Sequence, residues 1–490
     1  MLLLRPRLMF LRPFYLLFLL TAFSPGCLGS GSLNLPEMSD ASSGVISLEQ
    51  ERELGQSFLR ALRAQADTVS DPLLKDYLEH QIYRLVVHSQ VKDRRLDIVI
   101  INSPALNAFA VPGGVIGVNL GLFLNAETEH EFSAILAHEL AHLSQRHFAR
   151  QFGAARQANA KSLAGLLAGI LLMATTGADA GMAAMALGQS AAQNEMLEHS
   201  RNREAEADRI GIDTLADAGM DPRAMAYMFE RLNRLNRLQG ANIPEFLRTH
   251  PVTQSRIADS YNQAHRFPVK QFATSLDYQL MRARVIVNHE TSATEAEKRM
   301  RAGLQTLDPL KKTAAQYGLA LALMQQQIFI EAGQLIRSLR AQWPQKIAFI
   351  LLEADFLTFQ RKHQAAVGLL AEQVQTNPGN FPLTMAYASV LEKAGQPVMA
   401  QALLAKIINQ RPNDADIWYE YAEVLGLSED IPGVHQARAE YFLLVGHLDQ
   451  SIKQLEYALP LVENSFQLSA KIRQRIIEIH AMRDEQRQNP

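Results

Sequence analysis

Residues 135–143 read Ile-Leu-Ala-His-Glu-Leu-Ala-His-Leu, ILAHELAHL in one-letter code. Two histidines four positions apart flank a glutamate in an otherwise apolar run. On an α-helix, positions four apart lie on one face, about 6 Å apart along the axis. His138 and His142 can therefore present both imidazoles to one metal ion. Zinc suits such a pair, because neutral imidazole is a good ligand and a catalytic site keeps one position for water. Glu139, beside His138, is then placed to take a proton from the attacking water and pass it to a leaving amine. The plain alternative is a core helix that happens to carry two histidines. A third ligand elsewhere in the chain decides between them.

The best candidate lies in Ser200–Asp208, SRNREAEAD. Glu204 and Asp208 share a helix face by the same spacing rule, and Glu206 points away from it. Glu204 can complete a His–His–Glu set, and Asp208 can accept the other ring N–H of a ligand histidine. Taken alone this segment reads as a solvated charged face; taken with the histidine pair, the ligand reading prevails. His250, next to Pro251, reads by default as a packed or capping residue. An active-site role is favoured, either blocking the metal's open position or steadying an oxyanion. His130 and His147 fall outside the ligand spacing and are expected on the surface.

Around these motifs the chain organises itself. Helical periodicity runs from Ser47 towards Gln90, with Leu59, Leu62, Leu74, Leu78, Ile82 and Leu85 as an apolar stripe. Leu96–Asn102 alternates and is β-branched, as a strand should be. Two short strands follow across the turn Pro112-Gly113-Gly114. The first, Asn107-Ala108-Phe109-Ala110-Val111, is expected at the cleft edge, where an extended substrate backbone can pair with it. Helices are expected over 127–150 and 198–218. Residues 162–188, rich in Leu, Ala, Gly and Met, fit a buried hairpin or a mobile lid, and fit a transmembrane hairpin least well, since each arm is too short.

The second half repeats. Ala320, Ala354, Ala388 and Ala422 are 34 residues apart, as are Ala332, Ala366 and Ala400, and Pro344, Pro378 and Pro412. A small residue in each helix and a proline after each pair is what a stacked helix–turn–helix unit requires, and the step matches a tetratricopeptide repeat. A degenerate first unit over 276–309 is expected, and the register slips after Ala422. Such repeats form a curved groove for a protein partner.

The N-terminus reads as an export signal: Arg5, Arg7 and Arg12 precede the apolar run Phe14–Phe23, and small residues follow. The chain is therefore expected outside the cytoplasm. The single cysteine, Cys27, raises lipid anchoring as a weaker alternative and excludes an internal disulfide. A net charge of −2 and a pI near 6.7 argue against nucleic-acid binding.

HELAH followed by SRNREAEAD resembles the paired signature of the HtpX and CAAX-prenyl-protease family of zinc metallopeptidases, and NAFAVPGG and HPVTQSRI (250–257) are similar to that family as well. The resemblance implies one Zn2+ held by His138, His142 and Glu204, with Glu139 as the base. It also implies, for exported members with a repeat tail, that the clients are stalled outer-membrane β-barrel proteins and the partner is the barrel-assembly machinery. The expected fold is mainly α: a signal peptide (1–29), a linker (30–46), a zincin-like metallopeptidase domain with a small β-sheet (47–268) and an all-α tetratricopeptide solenoid (269–490). The expected function is an exported zinc endopeptidase of quality control. The rival is a chaperone or binding protein whose repeats dominate and whose metal site is latent.

Overall fold

The computed structural model describes residues 47–148, 170–172, 193–239 and 244–488. The export signal, Cys27, the linker and most of 162–188 lie outside the described residues. Among those described, no helix is long and apolar enough to cross a membrane.

The periodic stretch after Ser47 is two helices rather than one. Ser47 opens α1 (Leu48–Gln65) with a reciprocal capping box to Gln50. Asp71 opens α2 (Pro72–Val87), accepting hydrogen bonds from the Leu73 and Leu74 amides at 3.1 and 3.2 Å, with Pro72 in the first turn. Asp71-Pro72 is a helix-start signal that the continuous apolar stripe conceals.

Three strands follow: β1 (Asp97–Ile101), β2 (Ala108–Val111) and β3 (Val115–Asn119), in the order β1-β3-β2. β3 runs parallel to β1 and antiparallel to β2, which leaves β2 at an edge. Both sheet faces are covered. Ile98, Ile100, Ile116 and Val118 face the main core with α2, while Val99, Ile101, Phe109 and Val115 face α1. Of the apolar 162–188 stretch, Leu171 packs into this second cluster. Phe109 lies across Gly117, where any side chain would collide with its ring.

After α3 (Leu120–Asn125), the chain enters α4 (Glu129–Ser144), which carries the histidine pair; every residue from Glu131 to Ala141 is buried. α5 (Gln193–Asp217) and α6 (Ala224–Gln239) pack against it, and α7 (Glu245–Thr249) and α8 (Gln254–Ala264) close that side.

From Leu276 onward the structure is helical pairs: α9 (Leu276–His289) with α10 (Ala293–Gly303), α11 (Pro309–Gln325) with α12 (Phe329–Gln342), α13 (Ile347–Phe359) with α14 (His363–Thr376), and α15 (Phe381–Lys393) with α16 (Pro397–Gln410). Then come α17 (Ala415–Leu427), α18 (Ile431–Leu444), α19 (Leu448–Ala458) and α20 (Phe466–Gln488). The repeated alanines are all at 2% exposure or less, at the close approaches between helices. A second 34-residue signature accompanies them. Gln327, Arg361, Gly395 and Glu429 close successive turns with left-handed φ of 62°, 59°, 73° and 61°. Only one is glycine, so packing imposes a conformation that costs the other three roughly 1–2 kcal/mol each.

The repeats hold the first half directly. Arg284 Nε donates to Asp71 Oδ2 at 2.6 Å, and its Nη1 to the Tyr317 hydroxyl at 3.0 Å. Lys75 pairs with Asp414 at 2.6 Å, and Arg411 pairs with Glu79. Part of the face expected to hold a partner is thus occupied by α2, leaving a cavity lined by Asp71, Lys75, Asp355, Asp414 and Glu420 among others.

Candidate active site

The site forms where α4 and α5 cross. Gly211 meets the backbone of Ala137 and His138 so closely that an added Cβ would sit 3.3 Å from each. Glu204 and Asp208 lie seven and three residues earlier on the same helix face, and the crossing carries them onto the histidines. His138 Nε2 is 3.0 Å from His142 Nε2, and Glu204 oxygens lie 3.4 Å from each. His250, at the C-cap of α7, joins them: its Nδ1 is 3.1 Å from both Glu204 oxygens and 3.3 Å from His138 Nε2. Each of these four residues offers a donor atom within 4.8 Å of the others, the arrangement that holds a metal ion.

Surrounding contacts orient the donors. Asp208 Oδ1 sits 2.9 Å from His138 Nδ1, out of line with the ring N–H, so the contact is electrostatic rather than a well-aligned hydrogen bond. Arg256 donates to both Asp208 oxygens at 2.7 Å and reaches Glu204 Oε2 at 3.0 Å. Burial opposes a charge on His138, yet Asp208 and Glu204 outweigh it and raise its pKa to about 9. Burial likewise opposes charge on Glu204, but His250 and His138 hold it well below its ordinary value. Burial and the neighbouring His138 push His142 well below its ordinary value, which keeps that imidazole in the neutral form a metal takes; three imidazoles and a carboxylate converging in this way suit a divalent cation.

Glu139 is 2% exposed and stands beside this set. Its Oε2 accepts the Ala110 amide N–H at 3.1 Å, and Oε1 lies 3.4 Å from His250 Nε2. Burial raises its pKa, opposed by His250 and His138, which moves it towards the range a general base needs.

The strand residues divide. Asn107 O accepts the Asn119 amide, so in an antiparallel pair Phe109 and Val111 also turn their backbone groups towards β3. Ala108 and Ala110 face outward, along the edge that ends at Glu139. The Phe109 side chain is in the α1-side core, away from the donors. Asn107 is buried, and its amide donates to Glu245 at 2.8 Å, while the Phe246 amide bonds to Leu106 O. Together these contacts pin α7, and hence His250, against the start of β2.

Burial, partly offset by Asn107, raises the Glu245 carboxyl to about 7. The folded segment thus retains a proton that an undocked one, titrating near 4.5, has released. Docking is strongest below that lower value and weakens as pH rises through about 7. Amide exchange at Phe246 and His250, corrected for intrinsic base catalysis, should accelerate between about pH 4.5 and 7 and level off above that. Glu245→Gln should flatten that dependence; an unchanged profile in the variant would assign it elsewhere.

Two expectations need correction. His147 is not at the surface: it is 4% exposed, with Nδ1 2.9 Å from His142 Nδ1 and Nε2 3.0 Å from Glu206 Oε2. Helical spacing hides this contact, because α4 stops at Ser144 and Arg146 takes a left-handed φ of 49°, folding the next residue back. His130 is half-buried, stacked edge-on against Phe272, and is not part of the donor set. Sequence reasoning also left Arg256 without a role, although it lies in the HPVTQSRI segment.

The fold and site together define a metallopeptidase joined to helical repeats. Residues 72–262 match peptidase family M48, and residues 360–424 match the tetratricopeptide repeat. Over 452 residues, spanning 92% of each chain, the protein is 30% identical to the beta-barrel assembly-enhancing protease of Escherichia coli (strain K12). It is also 30% identical to that of Yersinia pestis, over 86% of this chain and 87% of the relative. Human mitochondrial metalloendopeptidase OMA1 is 33% identical over 32% of this chain and 30% of its own. The chain belongs to peptidase family M48, and it is a metalloendopeptidase.

Proposed function

We propose that this protein is an exported zinc endopeptidase that removes outer-membrane β-barrel proteins stalled during assembly and assists those that can still fold. The observation that carries the hydrolytic part is the His138–His142–Glu204 set with Glu139 beside it. Zinc bonds of about 2.0–2.1 Å in a tetrahedron imply ligand separations of about 3.3 Å, against 3.0, 3.4 and 3.4 Å here. When bound, zinc polarises the scissile carbonyl and acidifies water. The chain's own residues do the rest. Glu139 accepts the proton of the attacking water at its carboxylate and returns it to the leaving amine. The outward carbonyl of half-buried Ala110, whose N–H is held by Glu139, accepts from an extended substrate backbone, which selects unfolded chains. Asp208 and Arg256 hold His138 and Glu204 in place.

The barrel clients and the barrel-assembly machinery as partner are supported by the name and full-length likeness of the bacterial relatives. Periplasmic location is supported by the N-terminal run after Arg5, Arg7 and Arg12. The rival, latent reading draws on one observation: His250 Nδ1 reaches the donor set, at the position a water or substrate oxygen needs. Both readings are joined if His250 is a removable fourth ligand. His250→Ala should then raise cleavage of an unfolded barrel protein several-fold while zinc content stays at one per chain. A fall in cleavage would instead make His250 an oxyanion donor. Preference for an unfolded barrel protein over casein would support the client assignment, and equal rates would favour a general protease.

A further inference from the structure

We infer that His147 and Glu206 form a positioning pair that sets the tautomer of His142 and thereby the metal affinity of the site. The inference rests on the metal-site reading above. Nδ1 and Nε2 lie on opposite sides of an imidazole ring, so His147, at 2.9 Å from His142 Nδ1, stands behind the ligand rather than among the donors. Its own Nε2 is 3.0 Å from Glu206 Oε2.

The proton count decides how this chain of contacts works. A carboxylate can only accept, so Glu206 requires the proton of a neutral His147 to reside on Nε2. That leaves a lone pair on His147 Nδ1, which must receive the N–H of His142 Nδ1. His142 Nε2 is then left with its lone pair facing His138 Nε2 and Glu204. The opposite tautomers would set a His147 lone pair against the Glu206 carboxylate and an N–H of His142 into the metal position. Glu206 thus selects, through His147 five residues beyond His142, the form of His142 that can ligate. His138 has Asp208 behind it; His142 has His147 backed by Glu206.

The backbone is committed to this contact. Arg146 holds its left-handed φ of 49° while its guanidinium makes two hydrogen bonds to Glu51 Oε1 at 2.9 and 2.8 Å. Glu51 comes from α1, so a separate element holds the turn that places His147.

The test is zinc affinity by chelator competition on the full chain, with apo-protein melting temperature measured alongside. His147→Phe should weaken zinc binding about 10–100-fold, and Glu206→Ala, at a side chain 31% exposed, should weaken it by a smaller factor without loss of folding. Glu206→Gln, whose amide oxygen still accepts the Nε2 proton, should recover most of that loss. In the apo protein, 15N shifts of His142 should show a fixed Nδ1–H form in wild type and a mixture in Glu206→Ala. A lowered melting temperature with unchanged zinc affinity in both His147→Phe and Glu206→Ala would reduce the pair to a structural contact and overturn the inference. Failure of wild type itself to bind zinc would instead overturn the metal-site reading on which it stands.

Discussion

Replacing Glu139 by glutamine should leave zinc in place and lower peptide-bond hydrolysis by about 10³-fold or more, at the upper part of what a positioned base supplies. Glutamine keeps the shape, and its amide oxygen can still accept the Ala110 N–H that Glu139 Oε2 receives at 3.1 Å. It loses only the ability to take a proton. Glu139 lies outside the donor group of His138, His142, Glu204 and His250, so metal content measured on the purified variant should equal that of wild type. Cleavage of an unfolded barrel protein, followed with both proteins at equal zinc loading, separates the base from the metal. Residual activity within tenfold of wild type would remove Glu139 from the proton-transfer role.

The second large effect concerns the joint between peptidase and repeats. Arg284 is buried, and its charge is balanced by Asp71, which also caps α2. Arg284→Met removes one partner of a buried pair, leaving a carboxylate without compensation, and should lower stability by about 3–5 kcal/mol. Asp71→Asn in the same chain keeps an oxygen for the Leu73 and Leu74 amides while removing the stranded charge. The double variant should therefore recover a good part of the loss, measured as the midpoint of urea unfolding with the slope held. A loss below about 1 kcal/mol in Arg284→Met would show that water reaches Asp71.

Much of this arrangement is legible in the chain before any coordinates. The HExxH spacing places two imidazoles on one face because a helix imposes it, and Glu204 with Asp208 follows from the same rule. The repeat step is legible because each alanine marks a contact between backbones and each proline a helix end. Other features depend on tertiary closure. Gly211 looks like an ordinary helix glycine until α4 is laid across it. His147 becomes a neighbour of His142 only because Glu51, about 95 residues earlier, holds Arg146 in a left-handed turn. Arg256 joins Asp208 to Glu204 from a third helix, and neither periodicity nor spacing links positions 208 and 256. The break between α1 and α2 was signalled by Asp71-Pro72, but a stripe of leucines on both sides outweighs one cap in any window average.

The proposed hydrolysis stands on one zinc ion held by His138, His142 and Glu204. Anomalous diffraction at the zinc edge, from crystals of the zinc-loaded full chain, tests it most directly. A single peak is expected about 2.0–2.2 Å from His138 Nε2, His142 Nε2 and a Glu204 carboxylate oxygen, with Glu139 outside bonding distance. No peak among these three residues, or a peak bound instead through His147 and Glu206, would contradict it.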